Sequence, residues 1–222
     1  MPAPSCGDTP EYYFSVEGDT LGVVTAPADA PTTVFTSQVG SLTTVVAYDF
    51  EANPGWTVSG DATDGQWDRG IPVACVRGDP PADYDGSGQC MLTDNSAADA
   101  CNSDVDGGTT TLTTQTIDLS GLNDPILSYA RWYNNVAGSA PQEDIFVVEL
   151  SANGGSSWAQ LEVVGPTGQE VQGGWYELSF RIADYVTPTA QFQVRWHASD
   201  LGSGSVVEAG IDAFAIYDFI CE

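Results

Sequence analysis

The chain reads as all-β: two packed antiparallel sheets forming a β-sandwich, with a short N-terminal β segment in front. Three observations predict this. Apolar runs of strand length recur from Thr43 onward with turn residues between them, several alternate residue by residue, and no segment carries a convincing amphipathic helix. With 222 residues, 42% of them hydrophobic, there is material for one large β domain plus a fragment of another.

Residues 1–42 differ in character from the rest of the chain. Glu11–Asp19 and Thr32–Gly40 read as strands, joined by the Pro- and Ala-rich turn TAPADAP. Two strands alone are marginal in water, so they complete another domain or pack on the main one. The run YYFSVEGDTLGVVTAPADAP resembles the last two strands of a fibronectin-III-like domain, which implies that 1–42 is a domain remnant or linker. Met1 followed by PAPSCGD suggests a start inside a longer protein, so this chain is expected to be covalently part of one.

From residue 43 to 222 the strands come in order: 43–50, 55–60, 88–94, 109–119, 126–135, 143–151, 157–165, 174–182, 190–199 and 206–219. In 190–199, Phe192, Val194, Trp196 and Ala198 share one face, while Gln191, Gln193, Arg195 and His197 share the other. NGGSSW (153–158) is a hairpin turn, with Asn-Gly supplying positive φ. RIADYV (181–186) is the one plausible helical turn.

Charge excludes whole classes of partner. Five arginines and no lysine face 31 acidic residues, a formal net charge of −26. Such a surface repels nucleic acid and anionic lipid, and no apolar run is long enough to span a membrane. The cysteines are Cys6, Cys75, Cys90, Cys101 and Cys221, with a single histidine, His197. No Cys-x-x-Cys pair occurs, so zinc is disfavoured. A secreted, oxidising setting is expected, with one disulfide among the middle three cysteines, a second joining the ends, and at least one thiol left over.

The densest acidic stretch is Asp79–Gly108. Calcium takes six to eight oxygen ligands, and two loops here offer them. DYDGSG places Asp83 and Asp85 two apart beside glycines that free the backbone to turn carbonyls inward. NSDVDGG places Asp104 and Asp106 in the first half of an EF-hand-like loop, but Thr113 stands where the closing glutamate belongs. That stretch is therefore no EF-hand and at most a second site.

YDFEANPGWTVSGDATDGQWDRG (48–70), DYDGSGQCMLTDN (83–95) and AGIDAFAI (209–216) together resemble the MAM domain, a jelly-roll β-sandwich, and related jelly-roll carbohydrate-binding modules. The resemblance covers about residues 45–220 and implies a structural calcium. Its ligands would be the F-E glutamate, here Glu51, the loop aspartate, here Asp83, and the closing-strand aspartate, here Asp212; Asp85 joins by proximity. The chain departs from the pattern at Ala213, where a second aspartate is common, and lacks the usual MAM cysteines. The resemblance implies a non-catalytic, calcium-stabilised extracellular accessory or adhesion module of a larger secreted protein.

Two other functions compete. A carbohydrate-binding module stacks sugar rings on exposed aromatics, and Arg131, Trp132 and Asn134 are the residues expected to hold a polysaccharide; a cell-surface protein is the other expected partner. A glycoside hydrolase would use a carboxylate pair, with Glu143, Asp144 and Glu208 as candidates. Against catalysis, there is no G-x-S-x-G elbow, and His197 sits on the polar face of its strand, where histidines are mostly structural.

Overall fold

The computed structural model describes residues 4–20, 22–75, 77–95, 101–202 and 204–221. It divides into two compact units, Met1–Thr43 with Phe219–Glu222, and Thr44–Asp218.

The smaller unit holds β1 (Glu11–Tyr12), β2 (Phe14–Gly18), β3 (Gly22–Ala26) and β4 (Phe35–Thr36), paired β1 with β4 and β2 with β3. The expected strand over 32–40 shrinks to two residues, and Gly22–Ala26 forms a strand instead, a run too short for alternation to show. The rings of Tyr12, Phe14 and Phe35 cluster at 5.6–6.0 Å. A Cys6–Cys221 disulfide ties the first and last segments of this unit.

The larger unit is a two-sheet sandwich. Its strands are β5 (Ser41–Tyr48), β6 (Thr57–Gly60), β7 (Trp67–Gly70), β8 (Cys90–Thr93), β9 (Gly108–Thr113) and β10 (Pro125–Gly138). Then come β11 (Phe146–Ser151), β12 (Ala159–Val164), β13 (Tyr176–Arg181), β14 (Gln193–Asp200) and β15 (Ser205–Ile220). One sheet runs β13-β10-β15-β8-β7, with β5 also on β15; the other runs β12-β11-β14-β9-β6. Every pairing with a recorded register is antiparallel, as expected.

The predicted faces explain the core. Phe192, Val194, Trp196 and Ala198 are all fully buried. Trp56 stacks on Trp196 at 5.3 Å, with Phe50 and Phe214 edge-on. The 153–158 turn joins β11 to β12, with the positive φ carried by Gly154 and Gly155 rather than by Asn153. Residues Ile182–Asp184 form the one 3₁₀ turn among the described residues. The strand expected over 109–119 ends at Thr113, and Ile117 adds only an isolated bridge to Phe192. Strand β7 carries no period-two signal of its own, because WDRG is short and half polar; it exists by pairing with β8.

Along β10 and β15, Ala130 faces Asp212 while Ser128 faces Ala215, so β15 carries one extra residue there. Ala213 takes up this bulge at φ 47°, and Phe50, just past β5, stands at φ 58°. Left-handed backbone at a non-glycine costs on the order of 1 kcal/mol or more. Both strained residues adjoin an acidic side chain, Asp212 and Glu51. Bulges commonly re-aim a side chain in this way.

Candidate metal centre

Three carboxylates from two distant segments converge. Asp83, Asp85 and Asp212 each present an oxygen, and these oxygens all lie within 4.8 Å of one another. Among the described residues no other group of three acidic, histidine or cysteine side chains gathers so closely. Asp212 is fully buried, Asp83 half-buried and Asp85 exposed, so the cluster opens to solvent on one side.

Backbone N–H groups hold the cluster. Asp212 Oδ2 accepts from Tyr84 N at 2.7 Å and Asp85 N at 3.3 Å, and Oδ1 accepts from Ala213 N at 2.7 Å. Asp83 Oδ2 accepts from Gly88 N at 2.9 Å, and Asp85 Oδ1 from Ser87 N at 2.8 Å. Carboxylate oxygens have two lone pairs each, so every one of these groups keeps acceptor capacity. Gly88 sits at φ 132°, a conformation that effectively requires glycine.

Glu51 is not in the trio. Its Oε1 accepts from Gln89 N at 2.6 Å, one residue beyond the loop segment that Asp83 grips. Asp49 adds two links: its Oδ1 accepts from Glu51 N and its carbonyl from Ser87 Oγ, both at 3.1 Å. Arg69 Nη1 then donates to Phe50 O at 2.8 Å and Gln89 Oε1 at 2.6 Å. Asp49, Arg69 and Gln89 escaped the sequence reading, although Arg69 stands inside the DGQWDRG motif.

The electrostatics show what this gathering costs. Burial, partly offset by the donated N–H groups, raises Asp212 to a pKa of about 6, with Asp85 adding repulsion. Burial and then the charges of Asp212, Asp83 and Asp85 push the Cys90 thiol well up, so this buried, unbridged cysteine is a protonated filler beneath the cluster. The other middle cysteines, Cys75 and Cys101, form a disulfide.

Asp104 and Asp106 take another course. Asp104 is buried and pairs with Arg77 at 2.7 Å, while Arg77 also donates to Asn102 O at 2.9 Å. Asp106 is exposed, and its carbonyl accepts from Thr63 N. Val105 between them is a core residue.

The expected ligand platform does not form. Arg131 is fully buried; it pairs with Glu162 at 3.1 Å and Glu170 at 2.5 Å and lies over the Tyr176 ring. Asn134 is buried, and the Trp132 indole donates to Gly78 O at 2.8 Å. Of the carboxylates weighed for catalysis, Glu143 is exposed, Asp144 is buried with Oδ1 on Leu201 N, and Glu208 is buried with Oε2 on Thr93. His197 is held at both ring nitrogens, by Thr111 Oγ1 and Glu149 Oε2, each at 2.9 Å. Burial lowers its pKa, leaving a neutral ring in a ladder that Arg195 completes through Glu149 at 2.6 Å.

No protein-family model matches the sequence, and no curated protein matches it. Among solved structures the chain is similar to carbohydrate-binding modules of the β-sandwich superfamily, at 14% identity over 96% of this chain and 74% of that one, TM-score 0.49. It is similar to the K1 cleaved adhesin domain of Lys-gingipain from Porphyromonas gingivalis W83, at 16% identity over 77% and 96%, TM-score 0.46. A third is the family 11 carbohydrate-binding module of a cellulosomal cellulase of Clostridium thermocellum, at 12% identity over 83% and 98%, TM-score 0.44. The assignment of the fold rests on strand order and register.

Proposed function

We propose that this chain is a non-catalytic, MAM-like extracellular accessory module whose sandwich is locked by one calcium ion at Asp83, Asp85 and Asp212. The observation that carries this is the convergence of three carboxylates without a cationic side chain among them. At an effective dielectric near 20, two unit charges about 5 Å apart repel by about 3 kcal/mol. A divalent cation reverses the sign of that interaction. Calcium suits the donors better than magnesium: all are oxygens, they sit partly on a flexible glycine-containing loop, and the open side admits water ligands. Held there, the ion joins the 83–88 loop to β15, while Glu51 secures the next residue from the β5 side.

Two disulfides support the extracellular setting, and no helix among the described residues is long and apolar enough to cross a membrane. The module's work is docking or spacing a larger chain against a polysaccharide or a cell-surface protein. For the polysaccharide, one observation moves the candidate contact: Tyr84, on the calcium loop, is 37% exposed, packs against Trp175 at 6.2 Å and donates to Glu177. Sugar binding that survives Arg131→Lys but is lost in Tyr84→Ala would place it there.

Thermal unfolding tests the calcium reading. Calcium at a hundredfold excess over its Kd adds about 2.7 kcal/mol, which in a domain of this size raises Tm by roughly 5–10 °C over the EDTA-treated protein. Identical melting in calcium and EDTA overturns it.

A further inference from the structure

A second pair of carboxylates lies outside the clamp, and each carries a buried oxygen without a partner. Glu208, on β15, is 2% exposed. Its Oε2 accepts from Thr93 Oγ1 at 3.1 Å, and its Oε1 has no hydrogen-bond partner. Asp79 likewise carries a buried Oδ2 with no partner. Both residues line one small cavity, together with Thr93, Asp94, Asn95 and the apolar Pro72, Val73, Pro80 and Leu92. Its free volume is about 10 Å³, room for one water-sized body and far too little for a sugar ring.

The charge of Arg77 acts favourably on both carboxyls, but its hydrogen bonds go elsewhere. Arg77 spends its guanidinium on Asp104 and on Asn102 O. Burial first, and then the charge of Asp79, raises Glu208 well above the ordinary carboxylate range, while the Thr93 hydrogen bond and the charge of Arg77 pull the other way. A buried oxygen left without a hydrogen-bond partner is costly, and here the two residues that carry such oxygens line one cavity.

The segment bearing Asp79 is fixed rather than loose. The Trp132 indole holds Gly78 O, and Gly78 at φ 123° lies so close to Asn134 that a Cβ would stand 2.7 Å from Asn134 Cγ. Asn134 is the cross-strand partner of Glu208. Trp132 and Asn134 are thus positioning residues for Asp79 against Glu208.

We propose that Asp79 Oδ2 and Glu208 Oε1 bind a second divalent cation in this cavity, independent of the Asp83–Asp85–Asp212 clamp. The ion supplies the partner both oxygens lack and ties the 78–80 segment to β15.

Calcium titration by calorimetry, on the intact chain, tests it with the metal alone as probe. The unmodified protein binds two ions; Glu208→Gln and Asp79→Asn each bind one, and Asp212→Asn also binds one, having lost the other. In the Asp212→Asn background, terbium emission excited through tryptophan is present and disappears on adding Asp79→Asn. If Glu208→Gln does not fold, Asp79→Asn, at a half-buried position, decides alone. Unchanged stoichiometry in both overturns the proposal and assigns the cavity to a shared proton or a water. One ion in the unmodified protein and none in Asp212→Asn also overturns it while leaving the clamp standing. One ion that persists in Asp212→Asn and vanishes in Asp79→Asn does the reverse.

Discussion

Two short acidic stretches of this chain, 83–88 and 102–108, look alike on paper and end differently. Each has aspartates two apart and glycine close behind. In the first, loop carboxylates meet a buried aspartate from β15 with no arginine between them. In the second, Arg77 reaches Asp104 at 2.7 Å, Val105 anchors the stretch in the core, and Asp106 faces water. The lesson is that density of aspartate does not make a metal site. What matters is whether the fold supplies a cation of its own.

The largest effect comes from breaking the first stretch. Asp212→Asn is expected to remove the clamp's share of the calcium-dependent rise in Tm, roughly 5–10 °C, whereas Asp104→Asn keeps it. Differential scanning calorimetry with and without calcium reads both. A calcium response of equal size in the two variants would erase the distinction.

Next comes pH. Asp212 and Asp104 both stand at about 6 in the folded chain, raised from 3.8 chiefly by burial. The native state therefore holds more protons than the unfolded one between about pH 4 and 6. Stability from this source is fully present below about pH 4 and is lost as pH rises through about 6. Each group accounts for on the order of 2–3 kcal/mol in metal-free protein. Calcium restores Asp212's share and leaves Asp104's alone. In urea titrations the gap between calcium and EDTA curves should then widen from pH 4 to 7; a constant gap contradicts it.

A smaller effect belongs to Arg77→Met, which leaves Asp104 buried without its cation. Because Arg77 is itself about a third exposed, the loss should be about 1–2 kcal/mol, the same in calcium and in EDTA. Smallest is Asp106→Asn, expected to stay within about 0.5 kcal/mol, since its side chain is exposed. A larger loss of calcium-dependent stability there would restore 102–108 as a cation site.

Residues whose roles depend on local pattern were legible in the sequence. Alternation over 190–199 sorted core from surface, NGGSSW marked a hairpin, and an odd cysteine count required a leftover thiol, found at Cys90. Those signals are local because side chains alternate with a period of two along any strand. The burial of Arg131 and Asn134 was not legible, because period alone does not say what packs over each face of a strand. Over β10 that cover comes from distant segments, Glu162 and Glu170 at Arg131 and Gly78 at Trp132 and Asn134.

By itself, then, the sequence determined an acidic all-β chain with no lysine, its strand faces and its surplus of carboxylates. Only the tertiary structure decided which carboxylates meet. Asp83 and Asp212 are 129 positions apart, and the bulge at Ala213 together with the N–H groups of Tyr84 and Asp85 brings them together. Asp104 found Arg77 and Glu208 found Asp79 in the same way, through pairings between segments far apart in the chain. Contacts of that kind are set by register and by which strand lies beside which, and neither is written in any local run of residues.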